Sequence, residues 1–395
     1  MNIPPVSGPS DAAHLPQIAF GPRVRTSPFF AATRRWGCKA WTIYNHMYMP
    51  LWYDSPEGDY WKLVNDVTLW DVASERQVEI TGPDASRFIQ YLTPRNLEKT
   101  RPGQCRYILL TAPDGGIVND PVLLKLADQH YWLSAADADI LLWAKGVAVR
   151  GEFDVEIVEP DVSPLQLQGP RADAVAADLF GDWVHDLKYF HFRETELDGI
   201  PLVLSRTGWS GERGFEIFLR DGARGDSLWE RCMEAGRPHG IAPAAPSVAR
   251  RIEGALLSYG ADMTLEETPF DIGLDRLVDL RMTADHIGRE ALRRIAERGV
   301  HRRLFGVHLL APALPAPNEA PWPAFQDGAR IGRVTSAVYS PRLQRNIALA
   351  LIRPEHVPPR ETFDVETPYG VIPARIVDIP FIAPLASKPP EPAGT

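Results

Sequence analysis

Two strand-like runs each carry an acid where a packed strand tolerates only apolar side chains. In "GFEIFL" Glu216 stands among Phe215, Ile217 and Phe218; in "DGGIVNDPVLLKL" Asn119 and Asp120 interrupt an otherwise aliphatic run behind a Gly-Gly turn. A carboxylate buried alone is costly, so any fold that hides these strands must give each acid an ion pair, hydrogen bonds or a ligand. Arg250 and Arg251 are available as internal salt-bridge partners. On residue type alone, two readings stay open: structural ion pairs, or a polar site set into buried strands.

The rest of the chain supports a large multi-domain protein. Its 395 residues exceed the roughly 250 to 300 at which one core stops growing, so two or three domains are expected. Short apolar runs bounded by turn formers predict strands in "RQVEITG", "RYILLTA", "IPLVLSRTG", "GFEIFLR", "RLFGVHLL" and "IALALI". Apolar residues at helical spacing predict helices in "DASRFIQYLT", "DADILLWAKGVAV", "GDSLWERCMEAG" and "PSVARRIEGALLSYG". The mixture is α+β. From "RQVEITG" to "DADILLWAKG" the order is strand, helix, three strands, helix, which fits one sheet with helices on one face. The Pro-rich "APALPAPNEAPWPAF" interrupts a later strand series and predicts a separate all-β module at the C-terminal end. Both chain ends are rich in Pro, Ser and Gly and read as arms.

Several function classes are excluded or disfavoured. A net charge of -9, with one short basic cluster at Arg302 and Arg303, offers no footprint for nucleic acid. Cys38, Cys105 and Cys232 form no C-x-x-C pair and read as reduced, buried thiols. No signal peptide and no apolar stretch of about 20 residues is visible, so a cytoplasmic protein without membrane association is expected. The histidines lack metal-binding spacing, and nucleophile-elbow, phosphate-loop and dinucleotide motifs are absent, so neither metal nor covalent catalysis is expected. Any reaction must then rest on positioning and electrostatics.

The ordered segments "RYILLTAPDGGIVNDPVLLKL", "LQGPRADAVAADLFG", "SRTGWSGERGFEIFL" and "RRIEGALLSYGADM", followed by "IGREAL" and "VTSAVYSPRLQRNIALALI", resemble the glycine-cleavage T-protein (aminomethyltransferase) superfamily of tetrahydrofolate-dependent enzymes. The likeness spans about residues 55 to 380. Within it, "RVRTSPFF", "TIYNHMYMP", "WDVASERQVEI", "TPRNLEK" and "PFDIGLDRLV" are closer to the dimethylsulfoniopropionate demethylase branch. Asn119 stands where a T-protein has the first of two adjacent acids, and the helix before "RIEG" lacks the "GARD" sequence, both departures from glycine cleavage.

The resemblance implies three domains around a central folate cavity: a discontinuous folate-binding domain of 1–65 with 155–290, a ferredoxin-like α+β domain of 66–154, and a C-terminal β-barrel or jelly-roll module with tail of 291–395. It implies tetrahydrofolate as methyl acceptor, held by Glu216 at the pterin's donor edge, with Asp120 beside the reactive nitrogen N5 as the catalytic carboxylate. Tyr107, Arg251 and Tyr259 match family positions near the folate, where ligand contact and plain packing both remain open. The implied reaction takes a methyl group from dimethylsulfoniopropionate to N5. Aromatic faces suit a sulfonium, which has no N–H to donate, and Trp183 and Trp209 are the candidates, with core packing the alternative for Trp183. Phe218 stands where that branch is expected to carry Tyr. A betaine, methylated amine or aryl methyl ether as donor, or a folate-binding regulator without turnover, are the other readings; oligomeric state is left open.

Overall fold

The computed structural model describes residues 20–356 and 362–386, so most of both Pro-rich ends lies outside the described residues. Two sheets stack face to face with helices on their outer sides. The first has six strands in the order Phe192–Leu197, Ile200–Ser205, Gly214–Leu219, Ser163–Gln168, Thr68–Asp71 and Ala242–Ala244, antiparallel except for the last. The second has five antiparallel strands, Glu156–Val158, Gln77–Thr81, His130–Ser134, Val122–Ala127 and Gln104–Tyr107.

Side chains alternate across each strand, and this periodicity of two divides the first sheet into a core face and a site face. Phe215, Ile217 and Leu219, with Leu165, Leu167, Leu202 and Leu204, pack against helices Ala172–Phe180 and Gly225–Gly236. The opposite face meets the second sheet, where Phe218, Val203 and Phe192 close against Cys105, Leu124 and Trp132. Helices Ala85–Leu92 and Ile140–Arg150 cover the outer side of the second sheet, as the strand–helix–three strands–helix order predicts. The three cysteines are free and buried, and burial raises each thiol above its ordinary range. No described helix is long and apolar enough to cross a membrane.

The Pro-rich stretch runs into Trp322–Gln326, a strand of a closed six-stranded barrel with Arg303–Leu309, Arg345–Ile352, Ala329–Ser340, Thr362–Thr367 and Gly370–Val377. The expected α+β fold with a C-terminal barrel is thus the observed one. Thr68–Asp71, expected in the middle unit, pairs with Ser163–Gln168 of the first sheet, while Glu156–Val158 pairs with Gln77–Thr81 of the second. Helix Arg289–Arg298, expected with the C-terminal module, lies against the Leu110–Thr111/Ile117–Asn119 hairpin instead: a Cβ at Gly115 would come 3.2 Å from both Leu292 and Ile295. The helix expected through "PSVARRIEGALLSYG" covers only Val248–Glu253, because Gly254 caps it and Ala255 adopts a left-handed backbone, φ 54°.

A buried polar seam joins barrel and core. Asp262 Oδ2 accepts from Arg251 Nη1 at 2.5 Å and from the Ser258 amide at 3.0 Å, while its Oδ1 accepts from Thr335 and Ser336, each at 2.6 Å. Nearby, Glu253 Oε1 accepts from Tyr60 at 2.8 Å and Ser340 at 2.6 Å. Truncating one partner of such a pair leaves the other charge buried and alone, so Asp262→Ala should lower the unfolding free energy by about 3–5 kcal/mol. Urea denaturation checks this, and a midpoint equal to wild type would show that the seam does not hold the barrel.

Candidate active site

Glu216 projects from the site face of Gly214–Leu219 and is 4% exposed. Neither arginine proposed as its partner reaches it. Gln166, directly opposite on the neighbouring strand, donates Nε2–H to Glu216 Oε1 at 2.8 Å, and the Thr207 hydroxyl donates to Oε2. Burial raises the Glu216 carboxyl above its usual range, against the lowering effect of these two hydrogen bonds. Each oxygen has one protein donor here and capacity for another. Ser205, opposite Glu216 on the neighbouring strand, continues the network, its Oγ 2.8 Å from Thr207 Oγ1.

Asp120 follows the Ile117–Asn119 strand. The Tyr107 hydroxyl donates to its Oδ2 at 2.8 Å, while its Oδ1 is buried with no hydrogen bond among the described residues. Burial pushes this carboxyl up to about 7, with the Tyr107 hydrogen bond opposing and the charge of Asp262 adding to the rise. Asn119 has a different task. It bonds Ala136 twice, side-chain N–H to carbonyl at 3.3 Å and amide to side-chain oxygen at 3.1 Å, and so braces the loop after His130–Ser134.

A third acid, Glu75, links the two. Burial and the field of Glu216 hold its carboxyl well above the usual range, with Asp120 a smaller contributor and the Ser134 hydroxyl, 3.5 Å away, opposing. Tyr44 is brought in by the Ala40–Tyr44/Met47–Trp52 hairpin, whose turn residues Asn45 and His46 both have positive φ, 51° and 63°. Burial raises its hydroxyl, and the charges of Asp120 and Glu75 add to the rise. Tyr189 feels Glu216 and Tyr259 feels Asp120 in the same way. Tyr44, Glu75, Tyr107 and Asp120 are each half-buried.

The remaining candidates separate. Trp209 belongs to the group: its amide lies 3.4 Å from Gln166 Oε1 and its indole N–H donates to the Leu257 carbonyl at 3.2 Å. Tyr259 donates to the Ile117 carbonyl at 3.4 Å, beside the Asp120 strand. Arg251 sits 5.9 Å from the Trp209 ring, but its N–H groups are spent on Asp262, Ser336 and the Leu256 carbonyl. Arg250 is fully buried against Glu212 at 2.7 Å. Phe218 shares the face of Glu216 but is closed against Trp132, ring centroids 6.2 Å apart, so a hydroxyl added there would be buried between the sheets. Trp183 is not brought to this group. It packs on the helix-side core, across the sheet from Glu216, with Arg193 4.6 Å over its ring. The glycines around Trp209 serve the protein's own packing: Cβ atoms at Gly208 and Gly214 would fall 2.3 and 2.4 Å from Gln168 and the Leu167 carbonyl.

Residues 29–282 match the family described as GCVT N-terminal domain, and residues 302–382 match the glycine cleavage T-protein C-terminal barrel domain. The chain belongs to the glycine-cleavage T-protein family. It is 41% identical over 354 residues to a dimethylsulfoniopropionate demethylase of Ruegeria pomeroyi, covering 90% of this chain and 96% of the relative. An aminomethyltransferase of Geobacillus is 30% identical, with 91% and 98% covered. The fold matches the crystal structure of the glycine cleavage system aminomethyltransferase T from Bartonella henselae, TM-score 0.82 at 24% identity, over 92% of this chain and 99% of that one. Membership makes the protein a folate-dependent transferase of one-carbon chemistry.

Asp120 and Glu216 both titrate above their ordinary range, so the folded protein holds its protons more tightly than the unfolded chain. Their stabilising contribution is complete below the ordinary carboxylate range and is lost as pH rises through about 7 for Asp120. Without folate, Asp120→Asn should therefore raise the thermal midpoint by a few degrees at pH 8 and leave it near wild type at pH 5. Equal gains at both pH values would contradict a proton-linked cost.

Proposed function

We propose that the protein transfers a methyl group from dimethylsulfoniopropionate to N5 of tetrahydrofolate, giving methylmercaptopropionate and 5-methyltetrahydrofolate. The observation that carries this reading is the pair of buried acids held by neutral donors. Glu216 keeps lone pairs on both oxygens, and Asp120 keeps one oxygen without a hydrogen-bond partner among the described residues. These residues fit a pterin: Glu216 can accept two parallel N–H bonds from an aminopyrimidine edge. Bound tetrahydrofolate would supply the N5 lone pair that accepts the methyl group as the methyl–sulfur bond breaks, and the N5 proton would then pass to solvent.

Gln166 and Thr207 fix the Glu216 carboxylate so that its free lone pairs point one way. Tyr107 holds Asp120 by one oxygen, and the other, once ionised, stabilises positive charge developing at N5. The donor's thioether leaves as a neutral molecule, so no residue has to protonate it. Aligning the two reactants is the main task, and such positioning contributes on the order of 7–11 kcal/mol. Trp209, Tyr44, Tyr189 and Tyr259 offer π faces to a small cation, each worth roughly 0.5–2 kcal/mol. The same set suits a quaternary ammonium, which keeps a betaine as second donor.

Incubation with tetrahydrofolate and a panel of donors, followed by assay of 5-methyltetrahydrofolate, tests this. Product with the sulfonium and little with glycine betaine or dimethylglycine is expected; the reverse order overturns the donor assignment. Glu216→Ala should weaken tetrahydrofolate on the order of a hundredfold by calorimetry, and unchanged affinity would remove Glu216 from the site.

Asp120→Asn should bind folate nearly normally and lower kcat on the order of a hundredfold. In wild type, kcat/KM should fall on the acid side with an apparent pKa of about 7, the value at which Asp120 takes up its proton. An acid limb that persists unchanged in Asp120→Asn would assign it to another group.

A further inference from the structure

Three arginines gather at the edge of the second sheet next to Tyr107. Arg95, in the loop after helix Ala85–Leu92, donates to the Tyr107 carbonyl. Arg106 precedes Tyr107 on its strand and turns back on neutral acceptors, the Cys105 carbonyl and Gln104 Oε1, both at 2.8 Å. Arg276 lies in the short Asp275–Leu277 turn, between Leu274 and Leu277, in the apolar cluster against which Tyr107 packs. The Arg95 loop is tied to the chain just beyond Arg276: the Asp279 amide donates to the Pro94 carbonyl at 2.9 Å, and Asn96 donates to the Asp279 carboxylate at 3.1 Å.

None of the three has an ion pair among the described residues, and the Arg276 guanidinium has no hydrogen bond there. Elsewhere the buried Arg250 and Arg251, and Arg302, Arg333 and Arg342 beside them at the barrel, find carboxylates. The three cations also act on each other. Burial and then the fields of Arg106 and Arg276 lower the Arg95 guanidinium from its ordinary range, and the field of Arg276 is also felt at the Tyr107 hydroxyl that holds Asp120. Like charges placed together without counter-ions are unfavourable unless an anion joins them.

We propose that Arg95, Arg106 and Arg276 form a carboxylate-binding site for the anionic end of a molecule whose reacting end lies at Asp120. The proposal rests on the folate-dependent methyl-transfer reading, in which both reactants carry carboxylates: the donor a propionate, the acceptor a glutamate tail. Arginine suits this task because its planar fork meets a carboxylate with two parallel N–H bonds. Arg276 is exposed and has no partner among the described residues, so substituting it disturbs no bond between them.

Two comparisons separate the sources of the carboxylate. In turnover, Arg276→Gln should raise KM for dimethylsulfoniopropionate on the order of tenfold, leave kcat near wild type, and leave trimethylsulfonium, which has no carboxylate, unchanged; that result assigns the site to the donor. In calorimetry, weaker binding of tetrahydrofolate with unchanged binding of tetrahydropteroate, which lacks the glutamate, assigns it to the acceptor. Arg276→Lys should lie between wild type and Arg276→Gln in the affected arm. Equal loss with and without the carboxylate, or no loss in either arm for both Arg276→Gln and Arg95→Gln, overturns the proposal. If wild type turns over no sulfonium, the methyl-donor reading fails by itself, and direct binding of dimethylsulfoniopropionate and of the two pterins still decides the carboxylate site.

Discussion

Glu216 lies on a strand whose other face forms the hydrophobic core, and its carboxylate is held by an amide and a hydroxyl in place of a cation. That arrangement leaves the acid costly to ionise and still able to accept hydrogen bonds. Asp120 is the same case in sharper form, with one oxygen on Tyr107 and the other without a partner among the described residues. An ion pair would have lowered both carboxyls and filled their lone pairs with guanidinium. Neutral donors orient them and leave acceptor capacity for a ligand.

The arginines that could have neutralised these acids are committed elsewhere, and their commitments build the frame of the site. Arg250 takes Glu212, and Arg251 takes Asp262, which in turn binds Thr335 and Ser336 of the barrel. The barrel is thereby fixed to the short helix and loop that carry Tyr259 and the Leu257 carbonyl on which Trp209 rests. Strand register matters for the same reason. A one-residue slip of Gly214–Leu219 would turn Glu216 into the helix-side core and Ile217 into the site.

How much of this was legible in the sequence follows from what kind of signal each residue leaves. Glu216 and Asp120 were visible because each breaks an apolar run, and the barrel because strands resume after a Pro-rich stretch. Gln166, Thr207, Glu75, Tyr44 and Tyr189 were missed. Gln166 matters only because its strand pairs with Glu216, and Glu75 only because folding places it beside two other acids; neither relation has a local spacing to read. The "TIYNHMYMP" and "WDVASERQVEI" segments that carry Tyr44 and Glu75 were noticed for their likeness to one branch of the family, not for their chemistry. Trp183 shows the opposite failure. A tryptophan near a helix end looks the same whether it caps a core or faces a cation, and here α-helical packing and Arg193 claim it. The two strands at the domain limits, Thr68–Asp71 and Glu156–Val158, were assigned by chain position when their hydrogen-bond partners decide where they belong.

The central claim is that two buried acids are kept short of cations so that a ligand can complete them. Proton release on folate binding tests it most directly, measured by calorimetry at pH 7 in buffers of different ionisation enthalpy. N–H donors brought to Glu216, and positive character brought to Asp120, favour their ionised forms, so binding should release protons, and the release should shrink in Asp120→Asn. Binding without proton release, or with uptake, would contradict the account.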